Sequence, residues 1–138
     1  MNELTLRDWL VSPAAGRLTH DAFLEGLADR LRQAGVPLDR ASASVQTRHP
    51  EVYVHAGIWT LEDGASVHAR PRTLAETGRY LESPVIVVQR TLQSLRVDLR
   101  QEHPPYPVCR ELKDEGYTDY LIQPLESAWG DASFASWS

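Results

Sequence analysis

The stretch Ser83 to Leu99, SPVIVVQRTLQSLRVDL, changes its apolar period halfway along and constrains the fold more than any other segment. Ser83 is suited to cap a helix by accepting a bond from a free amide of the first turn. Pro84 fits the first helical position, where its missing N–H costs nothing. Val85, Val88 and Leu92 then recur at helical spacing. The β-branched run from Val85 to Val88 would equally suit a strand, so the helix rests on the Ser-Pro start and the Arg90 to Gln93 tail. Beyond Gln93, Leu95, Val97 and Leu99 alternate with Arg96, Asp98 and Arg100, the pattern of a strand with one buried face. A helix that hands over directly to a strand, with further strands on both sides in sequence, predicts a mixed α+β domain.

The rest of the chain fits that class. Leu4, Leu6, Trp9, Leu10 and Val11 form a short amphipathic helix, ended by Ser12-Pro13 and Gly16. Thr19 is placed to cap a second helix, in which Phe23, Leu24, Leu27, Ala28, Leu31 and Ala34 make one apolar stripe. Gly35 ends it and Pro37 keeps it from resuming. From Arg40 the period is two, with the small residues Ala41 and Ala43 on the inner face beside Val45 and Thr47. His49-Pro50 breaks this first strand.

Tyr53 to Leu61 reads as a second strand, apolar on both faces and therefore central or beside a pocket. Glu62-Asp63-Gly64 is a hairpin signal, and Ala65 to Arg70 returns as a third strand. Arg72 to Leu81 is open between a loop and a single helical turn at Leu74 to Thr77. Gln101 to Pro107 carries three prolines and is irregular, and Val108 to Glu115 is a helix stopped by Gly116. Tyr120 to Leu125 and Ala132 to Ser138, with a turn at Trp129-Gly130-Asp131, complete an antiparallel sheet of five to six strands covered by helices.

A length of 138 residues fits one domain, residues 1–138, with enough chain for a real core. The net charge of −5 argues against general binding to nucleic acid or to an anionic membrane, since both need excess positive charge. Cys109 is the only cysteine, which excludes an internal disulfide and suits a reducing cytoplasm. The first turns carry Glu3, Arg7 and Asp8, unlike a secretory signal. The apolar runs are too short to span a bilayer.

Catalytic signatures are missing: there is no Gly-rich phosphate loop, GxSxG, HExxH or CxxC. The five histidines, His20, His49, His55, His68 and His103, do not pair at one-turn spacing. His55 and His68 flank the hairpin but sit at unequal distances from Asp63. Cys109 follows a proline-rich loop at a helix start, a setting that lowers a thiol pKa, but it reads better as a small buried hydrophobe. The carboxylate pairs Asp114-Glu115 and Glu62-Asp63 belong to a helix end and a turn. What stands out is a set of bulky amphipathic side chains on or near the sheet: Trp59, His68, Tyr80, Arg90, Tyr117 and Tyr120. They are the candidate lining of a small-molecule pocket between sheet and helices, against the alternative of an aromatic-rich core.

Several stretches taken together carry a family resemblance. Gly35-Val36-Pro37-Leu38 leads into a strand ending Thr47-Arg48-His49-Pro50, and the Trp59 strand follows. Then come Ser83-Pro84 with its helix, Arg110-Glu111-Leu112, Gly116 through Leu121, and Pro124-Leu125. In order and spacing this resembles the N-terminal regulatory region ahead of bacterial class III adenylate/guanylate cyclase catalytic domains, and its general shape is similar to a GAF-type sensory domain. The resemblance runs from about Leu6 to Ser138. It implies a GAF-like regulatory module, homodimeric and cytoplasmic, signalling into a C-terminal cyclase domain of the same chain. The family pattern continues past the sixth strand into a turn and a helix, whereas this sequence stops at Ser138, so it reads as the N-terminal fragment of a longer cyclase. The cyclase's own metal- and nucleotide-binding residues lie beyond it.

Three functions follow as expectations. The first is a non-catalytic sensor that binds a small molecule and shifts dimer geometry; the sequence names neither ligand nor cofactor. The second is a ligand-free dimerisation module with Trp9 at the interface. The third is a small α+β isomerase or hydratase with His55 or His68 as general base.

Overall fold

The computed structural model describes residues 3–46, 52–71, 82–125 and 133–138. Its helices are α1 (Glu3–Leu10), α2 (Pro13–Gly16), α3 (His20–Gln33), α4 (Pro84–Thr91) and α5 (Pro107–Asp114). Its strands are β1 (Arg40–Gln46), β2 (Val52–Thr60), β3 (Gly64–Pro71), β4 (Leu95–Asp98), β5 (Asp119–Leu125) and β6 (Ser133–Trp137). The His49-Pro50 break, the Leu74 to Thr77 turn, the Trp129 to Asp131 turn and the candidate residue Tyr80 lie outside the described residues.

The six strands form one antiparallel sheet in the order β3-β2-β1-β6-β5-β4, so the fold is α+β, as the periodicities require. Two strands neighbour their sequence successors through β1-β2-β3, and Gly64 takes φ 76° at the end of the hairpin turn. β6 instead slots between β1 and β5, where Ala41 faces Trp137 on one side and Trp137 faces Leu121 on the other.

The sheet separates two cores. On one face, α3 packs Leu24 and Ala28 against Leu38, Ala41 and Trp59, with Ala43, Ala65 and Trp137 around them. On the other, α4 and α5 bring Val88, Cys109 and Leu112 onto Val97, Leu99, Tyr120 and Ile122. Ser42 and Ser44, on the opposite side of β1 from Ala41, are buried as well. The sequence pattern marked the alanine face as inner; both sides of β1 are buried, the alanine side beneath α3.

Local chemistry explains the joints. Ser12 does not merely stop the first helix. Its hydroxyl accepts the Ala15 amide at 3.2 Å and starts α2. Thr19 stands at the α3 N-cap, but its hydroxyl donates to Asp21 Oδ1 at 2.6 Å instead of capping, and the Asp21 carboxylate accepts the Ala22 amide. Ser83 caps α4 as expected, accepting the Val85 amide at 3.1 Å. The hand-over from α4 to β4 depends on Leu92, which adopts the left-handed conformation (φ 54°, ψ 31°) while its amide still bonds Val88 O.

The proline-rich loop before α5 has few amides of its own, and α5 secures it from outside. Lys113 Nζ donates to Leu99 O and Gln101 O at 3.0 and 2.8 Å, and Arg110 Nε to Pro104 O at 3.0 Å. Among the described residues, no helix is long and apolar enough to cross a membrane.

Candidate functional site

Among the described residues, the side chains on the α4–α5 face of the sheet change in size from one end to the other. Over β4 and β5 the face is packed solid by Leu112, Tyr120, Ile122, Val97 and Leu99, each 5% exposed or less. Over β1 and β2 the side chains are small: Ser42, Ser44 and Ala56 are buried, and Ile58 is partly so. Register puts these residues in rows across the strands. Ser66, Ile58, Ser42 and Ser136 form one row, and His68, Ala56, Ser44 and Phe134 the next. The floor over β1 to β3 is thus hydroxyl and methyl, with an imidazole at its edge.

The hydroxyls are mostly engaged with one another. Ser42 Oγ bonds Ser136 Oγ, and Ser136 also meets the Tyr120 phenol. Burial, reinforced by nearby Cys109, pushes Tyr120 up to about 12, with Arg40 and Ser136 opposing. At the sheet edge Ser66 Oγ lies 3.1 Å from His68 Nε2, with both residues exposed. Among the described residues no third group orients that histidine, so the pair lacks the arrangement that activates a nucleophile.

The residues expected to line a pocket do not converge. Trp59 is 4% exposed and lies in the α3 core, on the opposite face from Tyr120. His68 lies on the Tyr120 face but at the exposed rim. Arg90 is exposed on the last turn of α4. His55 pairs with Ala69 and His68 with Ala56, so the two histidines are not cross-strand partners. Trp9 is half-buried against its own chain, stacked on Phe23 (centroids 5.4 Å apart) with the Arg30 guanidinium 4.0 Å above its ring.

Cys109 is fully buried, and burial pushes its thiol from 9.0 to about 11, against a weak lowering by Arg110. It is a core hydrophobe. The residues missed by sequence reasoning are Ser42, Ser44 and Ser136. Serine in a strand carries little signal, since it reads as solvent-facing until neighbours on both sides are known.

Tyr117 belongs elsewhere. It lines a groove of about 500 Å³ at the end of the sheet, where the α5–β5 turn meets the β2–β3 turn, beside Thr60. Asp39, Glu62, Asp63 and Glu115 make that groove acidic. Burial raises the Tyr117 phenol, Arg40 opposes this, and the carboxylates of Glu115, Asp39 and Glu62 add to it. Arg32 partly offsets the charge through its 3.5 Å contact with Asp39.

With this geometry in view, the fold has a clear likeness. The chain is similar to the GAF domain of a two-component sensor histidine kinase from Bacillus halodurans, with a TM-score of 0.55 at 14% sequence identity. The match covers 86% of this chain and 75% of that one. No protein-family model and no curated protein matches the sequence. The molecule therefore has a GAF-like α+β fold.

Proposed function

We propose that this chain is a sensory, non-catalytic GAF-like domain that binds a small molecule on the α4–α5 face, over β1 and β2. The observation that carries the reading is the change in side-chain size across that face: bulky side chains on β4 and β5, hydroxyls and methyls on β1 and β2. The likeness to the GAF domain of a sensor histidine kinase supports it. A ligand held there would contact strands whose other face carries α3. It would bias the output only if it bound two arrangements of the domain with different affinity.

In this reading the domain works as a homodimer through α1, with Trp9 at the interface, and controls a C-terminal class III adenylate/guanylate cyclase domain of the same chain in the cytoplasm. Nucleic acid and membrane are not its partners, in keeping with the net charge of −5. The sequence resemblance described above supports the cyclase link. The Trp9, Phe23 and Arg30 stack supports a stiff path from α1 into α3.

A native mass spectrum of freshly purified protein, set against its denatured mass, tests the proposal. A dimer carrying an extra small-molecule mass supports it. A bare dimer that takes up no metabolite from a cell extract moves the reading to the dimerisation module. A bare monomer that takes up nothing removes both.

A further inference from the structure

The two edges of the sheet are built differently. β4 is four residues long and guarded. Arg96 Nε donates to both oxygens of Asp119 at 3.1 Å, and Arg100 Nε holds the Asp98 carboxylate at 3.0 Å. The Asp98 carbonyl accepts Gln101 Nε2 at 2.9 Å. Charges and an occupied carbonyl of this kind keep an edge from adding strands. β3, at the other edge, runs for eight residues, and Gly64 to Ala69 holds no Asp, Glu, Lys or Arg. Among the described residues, no strand pairs with its outer side. We propose that this side is an interface with a second copy of the chain, β3 pairing antiparallel with β3 about a two-fold axis at Val67. The proposal goes beyond the sensory reading and does not depend on it.

Backbone alternation identifies the free groups. The Leu61 amide bonds Asp39 O, next to the Arg40–Thr60 pair, so the N–H and C=O groups of Trp59 and Gly57 also face β1. Those of Thr60, Ile58 and Ala56 then face β3, where they meet Gly64, Ser66 and His68. The amides and carbonyls of Ala65, Val67 and Ala69 are left pointing outward along the edge.

A second copy suits this row because the row matches itself. With the axis at Val67, Val67 meets Val67, Ala65 meets Ala69 and Ser66 meets His68. Arg70 falls opposite Gly64, so no like charges face each other. About six backbone bonds form, at Ala65, Val67 and Ala69. Val67 is 38% exposed, and Ser66 and His68 are exposed, so pairing has surface to bury. Ser66 and His68 take the close, non-hydrogen-bonded positions, with about 4.5 Å between Cα atoms. The hydroxyl that lies 3.1 Å from its own chain's imidazole there meets the second copy's imidazole as well.

Two variants and their mixture test the interface, in the Trp9→Ala chain so that contacts through α1 do not contribute. That chain is expected to self-associate in sedimentation at about 100 μM, and Val67→Lys or Val67→Glu each to weaken the association at least about tenfold by setting like charges face to face. An equimolar mixture of the two is expected to recover it, since opposite charges then meet. In hydrogen exchange the Val67 amide is expected to slow as protein concentration rises, while the Arg96 amide at the guarded edge does not. Unchanged protection of the β2 amides shows that both variants keep the fold. A monomer at about 100 μM, or Val67 protection that is the same at every concentration, overturns the interface. Association that neither charge disturbs overturns it too. Folded variants that both lose association and do not recover on mixing overturn the register at Val67.

Discussion

Single residues set the close contacts. A Cβ on Gly57 would stand 2.7 Å from His20 Nε2, so β2 accepts the imidazole of the first α3 turn only because position 57 carries no side chain. Gly57→Ala is expected to cost about 1–3 kcal/mol by overpacking, and His20→Ala in the same chain to recover most of it. A double-mutant cycle by urea unfolding measures the coupling; independent effects would contradict the contact.

Leu92 shows the reverse economy, a bulky residue in a left-handed conformation, 66% exposed. Leu92→Gly should leave stability unchanged or raise it by up to about 1 kcal/mol, and Leu92→Val should lower it, as read from urea midpoints. Cys109 and Tyr120 tie stability to alkaline pH. Both are held neutral by burial, at about 11 and about 12. The unfolded thiol ionises first, so the stability carried by Cys109 is complete below about pH 9 and is lost as pH rises towards 11. Its contribution to the slope is at most about 1.4 kcal/mol per pH unit, and Cys109→Ala should flatten the fall in unfolding free energy over that window.

At the scale of elements, the joint between α4 and β4 and the clamp of α5 on its loop decide how the second core closes. Ser83 supplies a capping acceptor to α4, and Ser83→Ala should cost about 1 kcal/mol. Lys113 ties α5 to the carbonyls of Leu99 and Gln101, at the point where β4 runs out into the three-proline segment. Lys113→Met keeps the aliphatic stem but leaves those carbonyls to water. It should cost about 1 kcal/mol and speed amide exchange in α5 more than in α3. Equal exchange rates in the two helices would show that the tether does not hold α5.

At the scale of the molecule, one inserted strand makes a single sheet of two halves. β6 joins β1-β2-β3 to β5-β4, and Ser138 continues the pairing, its carbonyl accepting the amides of Asp39 and Arg40. Each half then has its own helical cover, α3 on one face and α4 with α5 on the other. The proposed dimer belongs to this scale. Trp9→Ala is expected to weaken the dimer at least about tenfold in sedimentation, beyond the stability it loses with the Phe23 stack. An unchanged dimer constant with lowered stability would confine Trp9 to its own chain.

The amino-acid sequence by itself determined the elements. Ser83-Pro84, the apolar stripe of α3 from Phe23 to Leu31, the Gly64 hairpin and the alternation of Leu95 to Leu99 are local patterns. They act over a few residues, and the structure keeps them. What the tertiary structure decided is which faces meet. That β6 lies between β1 and β5 depends on pairing residues more than ninety positions apart, such as Ser42 with Ser136, and no local period encodes it. The same pairing turned the serine side of β1 from an apparent outer face into a buried floor and sent Trp59 to the opposite core from Tyr120. A strand's alternation says that its two sides differ; only the neighbouring strands and helices say what each side touches.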